Sequence, residues 1–271
     1  RCDVDLGLLL SGGLDSNAVL AMVSQLGYNI KTFTVGFDQQ EFDESSLASL
    51  SAKHFGMEHH TLRANPDLLD YLPKIVRHHG EPFADKSALP SFFLCEQISN
   101  HLKVALNGDG GDELFGGYKR YFQTLNKKNN IQNIISKFNA IYPGFFGSGN
   151  EFHLYSSDWK VRYASFLEDK NFLKTLGIKS SSSFIEKYLN YSNFDLKTLQ
   201  LIDYNFYLKE IQMLKIDRAS MANSLEVRSP MLDHRLIEYI LGHENYNTDM
   251  DNPKKLLIEH LNQDFSKDFT N

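Results

Sequence analysis

The stretch Leu8-Leu9-Leu10-Ser11-Gly12-Gly13-Leu14-Asp15-Ser16 constrains this chain more than any other. An apolar run enters a double-glycine turn and passes straight into a pattern with Ala18, Val19, Met22, Val23 and Leu26 at helical spacing. The spacing predicts a buried strand, a tight turn, and a helix over 16–26 that Gly27 ends. A helix start carries backbone N–H groups without intrahelical partners, beside the positive end of the helix dipole. Such a place attracts phosphate, and glycine lets the backbone come close to phosphate oxygens. Ser11 and Ser16 add hydroxyl donors. Asp15 would repel phosphate unless a magnesium ion lay between them. The plain alternative is a Gly-Gly turn with Asp15 or Ser16 as a helix cap. The string lacks the Gly-Lys-Ser/Thr of a Walker loop and the glycine spacing of a dinucleotide fingerprint.

The rest of the chain alternates. Residues 30–36 read as a second strand, which completes a β–α–β unit and predicts a parallel sheet. Asp43 and Glu44 start a helix running to Gly56, and 58–62 reads as a third strand. Helical patterns cover 68–79 and 88–102, and 103–106 is the next strand. Past Tyr121 strand-like runs disappear and helical periodicity takes over, with Ser180–Ser183 a low-complexity loop. Residues 198–214 form a helix with Thr198 as its cap. The expected fold is α/β: a parallel-sheet, Rossmann-like nucleotide-binding layer over 1–125. A mostly helical half over 126–271 completes the substrate pocket.

In open parallel sheets ligands collect beyond the carboxyl ends of the strands. Ser11, Gly36 and Asn107 stand at such ends, so Asp109, Asp112 and Glu113 are expected to face Asp15 across one crevice. Carboxylates gathered around a polyanion call for a divalent cation, and magnesium suits oxygen ligands. A plain glycine-rich surface loop is the alternative for 107–118.

Composition excludes several classes. A net charge of −6 disfavours a nucleic-acid surface. The two cysteines, Cys2 and Cys95, form no Cys-x-x-Cys pair, and Cys95 sits on an apolar helical pattern as a buried thiol. The adjacent pairs His59-His60 and His78-His79 lack metal-ligand spacing and read as surface or strand-edge residues. No signal peptide or membrane span is legible, so a cytoplasmic setting is expected.

The turn at 11–16 resembles the pyrophosphate loop of ATP pyrophosphatases. Residues 11–16, Thr-Val-Gly-Phe at 34–37, Gly-Glu-Pro-Phe-Ala-Asp at 80–85, the loop 107–118 and the segment 217–233 occur in that order. Together they resemble the synthetase domain of the glutamine-hydrolysing asparagine synthetase family, across almost the whole chain. The resemblance implies an AMP-forming ligase using ATP and Mg2+ that turns aspartate and ammonia into asparagine. It implies that Leu10, Val35, Gly36, Asn107 and Gly108 hold ATP. Ser11, Gly12, Gly13, Asp15 and Ser16 would grip the leaving pyrophosphate. Asp15 and Asp112 would be the magnesium-linked carboxylates, Asp109 an acidic residue serving the acyl-adenylate, and Lys215 a basic residue near the substrate. Asp109, Asp112 and Lys215 are thus the expected catalytic set. Glu81 and Asp85 either shape the pocket or cap the next helix, and Arg218 and Arg228 are weaker anion binders. For Arg228 an ion pair with Glu226 or Asp233 is the preferred reading.

The family also implies parts not found in this sequence. A glutaminase domain is expected in the full-length protein, and a phosphate-neutralising lysine is expected beyond Asn271. Lys254 or Lys255 is the candidate stand-in, against the plain reading of a solvated helix start. No nucleic-acid or membrane partner is expected, and a homodimer is left open. Three other readings compete: the same chemistry on another carboxylate, a tRNA-modifying pyrophosphatase, and a non-catalytic ATP-binding module. The tRNA reading predicts reactive cysteines and a basic face, and the sequence offers neither.

Overall fold

The structure is a computed structural model. It describes residues 3–41, 43–64, 68–81, 83, 85–126, 158–167, 177, 195–242 and 253–264. The chain divides into two compact units, one of residues 1–115 and 204–271, the other of residues 116–203.

The first unit is built on a five-stranded sheet. Its strands are β1 (Leu6–Leu9), β2 (Lys31–Gly36), β3 (His59–Arg63), β4 (Val104–Leu106) and β5 (Glu226–Arg228). Their order is β3-β2-β1-β4-β5 and every pairing is parallel. The register sets Gly7 beside Lys31 on one side of β1 and beside Ala105 on the other. Side chains alternate across a strand, and here the alternation feeds two separate cores. Leu6, Leu8 and Leu106 pack to one face, with α1 (Leu14–Gln25), α2 (Ser45–His54) and the buried Leu257 and Leu261 of the last helix. Leu9, Phe33 and Ala105 pack to the other, with Ile75 of α3 (Leu72–His79) and with Phe92, Cys95 and Ile98 of α4 (Ala88–Ile98). Burial on both faces explains why β1 reads as an unbroken apolar run rather than an alternating one. Cys95 is fully buried, and burial pushes its thiol up to about 12.

The element boundaries depart from the sequence reading in three informative places. β5 lies in the half read as free of strands. It has three residues, two of them charged and exposed, so it carries no apolar run to betray it. Parallel pairing with β4 and the Asn107 N–H bond to the Arg228 carbonyl (3.0 Å) hold it at the sheet edge. The helix expected from Thr198 begins at Leu196. Asp195 caps it instead, accepting from the Thr198 N–H (2.8 Å) and hydroxyl (2.9 Å). The helical backbone also runs past Leu214. It adopts π geometry over Tyr204–Met213 and returns to α over Leu214–Ala222. The serine run at 180–183 lies outside the described residues.

The second unit is described in α6 (Lys119–Leu125), α7 (Trp159–Leu167) and α8 (Leu196–Asp203). Its core is Tyr121, Tyr163, Ala164, Leu196, Leu199 and Ile202. Asp203 is buried there, 2.5 Å from Arg120 Nη2 and accepting from the Tyr163 hydroxyl. No helix among the described residues is long and apolar enough to cross a membrane.

Candidate active site

The strand order reverses between β1 and β4, and the chain leaves both strands at the same edge of the sheet. A ligand crevice is expected at such a switch point. A cavity of about 460 Å3 opens there. Its wall includes Leu10, Ser11, Asp15, Ser16, Val35, Asn107, Gly108, Asp109 and Lys215. These are most of the residues singled out in the sequence, drawn from four separate segments. Gly12 and Gly13 stand between Ser11 and Asp15 in the chain, and Gly36 follows Val35. Gly36 closes β2, where a Cβ would come within 3.0 Å of Thr61. Glu113 is buried in α5 (Gly111–Phe115).

The turn after β1 is held by its own groups. The Ser11 N–H donates to Ser16 Oγ (3.1 Å) and the Gly13 N–H to Ser11 Oγ (3.1 Å). Ser16 Oγ also lies 3.2 Å from the Ser11 and Gly13 carbonyls, and Asn17 Nδ2 donates to the Gly13 carbonyl (2.7 Å). The Gly12 N–H donates to Glu44 Oε2 (3.0 Å), at the start of α2. The Ser11, Gly12 and Gly13 N–H groups therefore already have acceptors, all polar groups that a phosphate oxygen can replace. Neither Asp15 nor Ser16 caps α1, whose N-cap is Gly13.

The acidic loop lies directly on this turn. A Cβ on Gly108 would stand 2.7 Å from the Ser16 nitrogen and 2.9 Å from the Asp15 carbonyl carbon. A Cβ on Gly111 would overlap the Asp15 carboxyl group. Glycine is required here for close approach of backbone to backbone, not only for a turn. Asn107 orients the loop's acid: its Nδ2 donates to Asp109 Oδ2 (2.6 Å), and its Oδ1 accepts from Ser229 (2.5 Å).

Asp15 and Asp112 converge on one cation, the Lys254 ammonium. It lies 2.7 Å from Asp15 Oδ2, 2.8 Å from Asp15 Oδ1 and 2.6 Å from Asp112 Oδ1. Burial pushes the Asp15 carboxyl up to about 6; Lys254 works against that, while Asp112 and Asp109 add to it. Burial also disfavours the charged form of Lys254, but Asp15 and Asp112 outweigh it and raise its pKa. Asp109 is raised by burial, with Lys215 pulling the other way. On the far wall Lys215 donates to Gln212 Oε1 (2.5 Å), Ser87 Oγ (2.6 Å) and Asp85 Oδ2 (3.2 Å).

A family model for asparagine synthase matches residues 1–262. The chain belongs to that family. Glutamine-hydrolysing asparagine synthetase 1 of Bacillus subtilis is 32% identical over 251 residues, 86% of this chain and 39% of that protein. Glutamine-hydrolysing asparagine synthetase 2 of the same species is 30% identical over 261 residues, 89% of this chain and 32% of that protein. Amidase chyE of Penicillium rubens is 24% identical over 293 residues, 89% of this chain and 43% of that protein. The chain thus spans less than half the length of these curated relatives.

Within this asparagine synthase fold, several open sequence alternatives close. Of the two candidate lysines, Lys254 reaches the site with a side chain 13% exposed, while Lys255 is exposed. Asp85 both pairs with Lys215 and accepts from the Ser87 N–H (2.8 Å) ahead of α4, whereas Glu81 is exposed. Arg228 pairs with Glu226 (2.7 Å), Asp233 pairs with Arg235, and Arg218 is exposed. His59 bonds Thr32 Oγ1 (2.8 Å) and His60 bonds Glu58 (2.8 Å) on the edge strand β3. Among the described residues no group of three or more His, Cys, Asp or Glu could hold a metal unaided. Magnesium commonly takes only one or two carboxylates and completes its shell with phosphates and water. Two carboxylates already gathered on one cation fit that donor set.

Proposed function

We propose that this chain is the synthetase part of an AMP-forming amide ligase, with aspartate as the acyl substrate and ammonia as the acceptor. The observation carrying this reading is the contact between two loops. The turn holding Asp15 and Ser16 and the loop 107–111 touch backbone to backbone, beyond the carboxyl ends of two adjacent parallel strands. Membership of the asparagine synthase family supports the same reading.

A carboxylate is a poor acyl donor because oxide is a poor leaving group. One carboxylate oxygen attacks the α-phosphorus of ATP, the bond to the β-phosphate oxygen breaks, and pyrophosphate leaves. The nitrogen of ammonia then attacks the acyl carbon and the bond to AMP breaks, releasing AMP, the amide and a proton. Leu10, Val35, Asn107 and Gly108 line the nucleotide side of the pocket, with Gly36 beside Val35 at the end of β2. Ser11, Gly12, Gly13 and Ser16 present donors to the departing pyrophosphate, where preorganised N–H groups are most effective. Lys254 adds a positive charge beside the same oxygens. Mg2+ would be held by Asp15 and Asp112 and would neutralise phosphate charge. Asp109 takes the proton from the attacking nitrogen, and burial makes its carboxylate a stronger base. Lys215, held by Asp85, Ser87 and Gln212, presents a cation to the anionic acyl substrate. Glutamine hydrolysis, named for two of the relatives, is the proposed ammonia source in the whole protein.

The test supplies the protein with ATP, Mg2+ and ammonium and adds one carboxylate at a time. Aspartate-dependent release of equal amounts of pyrophosphate and AMP, with asparagine formed, is expected. Release triggered by another carboxylate and not by aspartate replaces the substrate assignment. ATP binding without pyrophosphate release under any carboxylate replaces the ligase reading with a binding module.

A further inference from the structure

We propose that Glu44 is an internal competitor for the pyrophosphate loop, a carboxylate that sets how tightly the loop holds polyphosphate and how readily it lets pyrophosphate go. The inference rests on the nucleotide reading of the pocket given above. Of the turn's donors, the Ser11 and Gly13 N–H groups are satisfied by hydroxyls of the turn itself. Gly12 differs. Its N–H is bonded at 3.0 Å by Glu44 Oε2, an acceptor 32 residues away on another element. The bond is exposed, and Glu44 lines the same cavity as Ser11, Asp15 and Ser16.

The local packing fixes this arrangement. Glu44 is the N-cap of α2, and the first turn of that helix lies on Gly12. A Cβ on Gly12 would come within 3.3 Å of Glu44 Cβ and 3.1 Å of Leu47 Cβ. Glu44 is therefore seated against the loop by its backbone, not brought there by a long flexible reach. A carboxylate oxygen makes with this N–H the charge-assisted bond that a phosphate oxygen would make. A polyphosphate entering the turn must take that donor over and accept a negative charge beside it. Lys254, by contrast, pairs with Asp15 and Asp112. The turn thus meets a carboxylate of the chain itself at Gly12, where an anion is proposed to bind. A loop that gripped pyrophosphate without opposition would release product slowly; Glu44 opposes that grip.

The experiment measures binding of inorganic pyrophosphate with Mg2+, and separately of AMP, to the wild-type chain and to Glu44→Gln and Glu44→Ala. Glu58→Gln, which removes an acidic group bonded to His60 on β3, controls for net charge. Pyrophosphate is expected to bind both Glu44 variants about ten-fold tighter, since one unit charge is removed from beside the anion. The gain shrinks at high salt, AMP affinity stays the same, and Glu58→Gln leaves pyrophosphate binding unchanged. Unchanged or weaker pyrophosphate binding to both Glu44 variants overturns the inference. An equal gain in Glu58→Gln also overturns it, because the effect would then be bulk charge. Failure of the wild type to bind ATP, AMP or pyrophosphate overturns the nucleotide reading itself, and is distinguishable from either result.

Discussion

Lys254 and Asp15, 239 residues apart in the chain, share two hydrogen bonds, with Nζ 2.8 Å from Oδ1 and 2.7 Å from Oδ2. The pair ties the start of the last described helix (Lys255–Asp264) to the first turn of α1. Lys254 also has a positive φ of 59°, a backbone conformation that L-residues with a Cβ adopt only when surroundings enforce it. Here the enforcement includes the Lys254 N–H bond to the Phe115 carbonyl (3.3 Å) and the ammonium contacts to Asp15 and Asp112.

This pair predicts a pH dependence. Burial carries the Asp15 carboxyl up to about 6, and the Lys254 charge keeps it from rising further. Ionised Asp15 is the form proposed to hold the nucleotide's cation, so kcat/KM for ATP falls as pH drops through about 6. Removing the opposite charge raises a carboxylate's pKa. Lys254→Met therefore moves that acid limb upward by roughly one unit or more, besides lowering the plateau. A pH–rate profile whose acid limb does not move in the variant contradicts the coupling.

Gly108 predicts a steric effect separable from backbone strain. Its added Cβ would meet main-chain atoms of Asp15 and Ser16, which cannot swing aside as a side chain would. Gly108→Ala is expected to weaken ATP binding at least ten-fold and to cost about 1–3 kcal/mol, as overpacking typically does. Gly27 is the matching control. It has φ +75° and open space around it, so Gly27→Ala is expected to cost about 1 kcal/mol with ATP affinity intact. Calorimetric titration and thermal unfolding of both variants decide the matter; equal ATP affinities would show that the loops do not need this contact.

The sequence carried the parts of this fold that repeat locally and was silent on those that depend on distance. β1 and the turn after it are legible because an apolar run, two glycines and a helical period stand side by side. β5 is not, because Glu226 and Arg228 point to solvent and only Val227 is partly buried. Its strand character comes from pairing with β4, 122 residues earlier in register between Val104 and Glu226. Asp195 does not stand out as the cap of α8 because Thr198 is also a good capping residue, and only the hydrogen bonds discriminate them. Lys254 and Lys255 are indistinguishable as neighbours in a polar stretch; the choice between them is made by Asp15 and Asp112. Glu44 carried a helix-start signal and nothing that pointed to Gly12. Residues beside the glycine turns are legible from local pattern, Lys215 only through the family resemblance, and the place of Glu44 at Gly12 not at all.

Asp203 predicts the stability of the second unit. Its carboxylate is fully buried, accepts from Arg120 Nε (3.1 Å) and Nη2 (2.5 Å), and accepts from the Tyr163 hydroxyl. The Arg120 guanidinium also lies 3.7 Å from the centre of the Tyr118 ring. Removing one member of a buried ion pair leaves the other charge uncompensated, at a typical cost of about 3–5 kcal/mol. Asp203→Ala is expected to show that loss in urea unfolding, with Asp203→Asn intermediate because it keeps an acceptor. A loss below about 1 kcal/mol for Asp203→Ala would mean that water or rearrangement compensates the arginine.

Asp109 offers a way to separate the two proposed chemical steps. It lines the cavity, accepts from Asn107 Nδ2, and burial raises its pKa against the pull of Lys215. A carboxylate with these properties suits the acceptance of a proton from attacking ammonia, and it is not required for the carboxylate substrate to attack ATP. Asp109→Asn keeps the size and the hydrogen-bonding position but has no basic oxygen to offer. Amide formation is therefore expected to fall about a hundred-fold or more. Aspartate-dependent exchange of labelled pyrophosphate into ATP, which reports adenylation alone, should stay within a few-fold of wild type. If exchange and amide synthesis fell together, Asp109 would belong to the adenylation step, and the proton would have to leave by another group on the cavity wall.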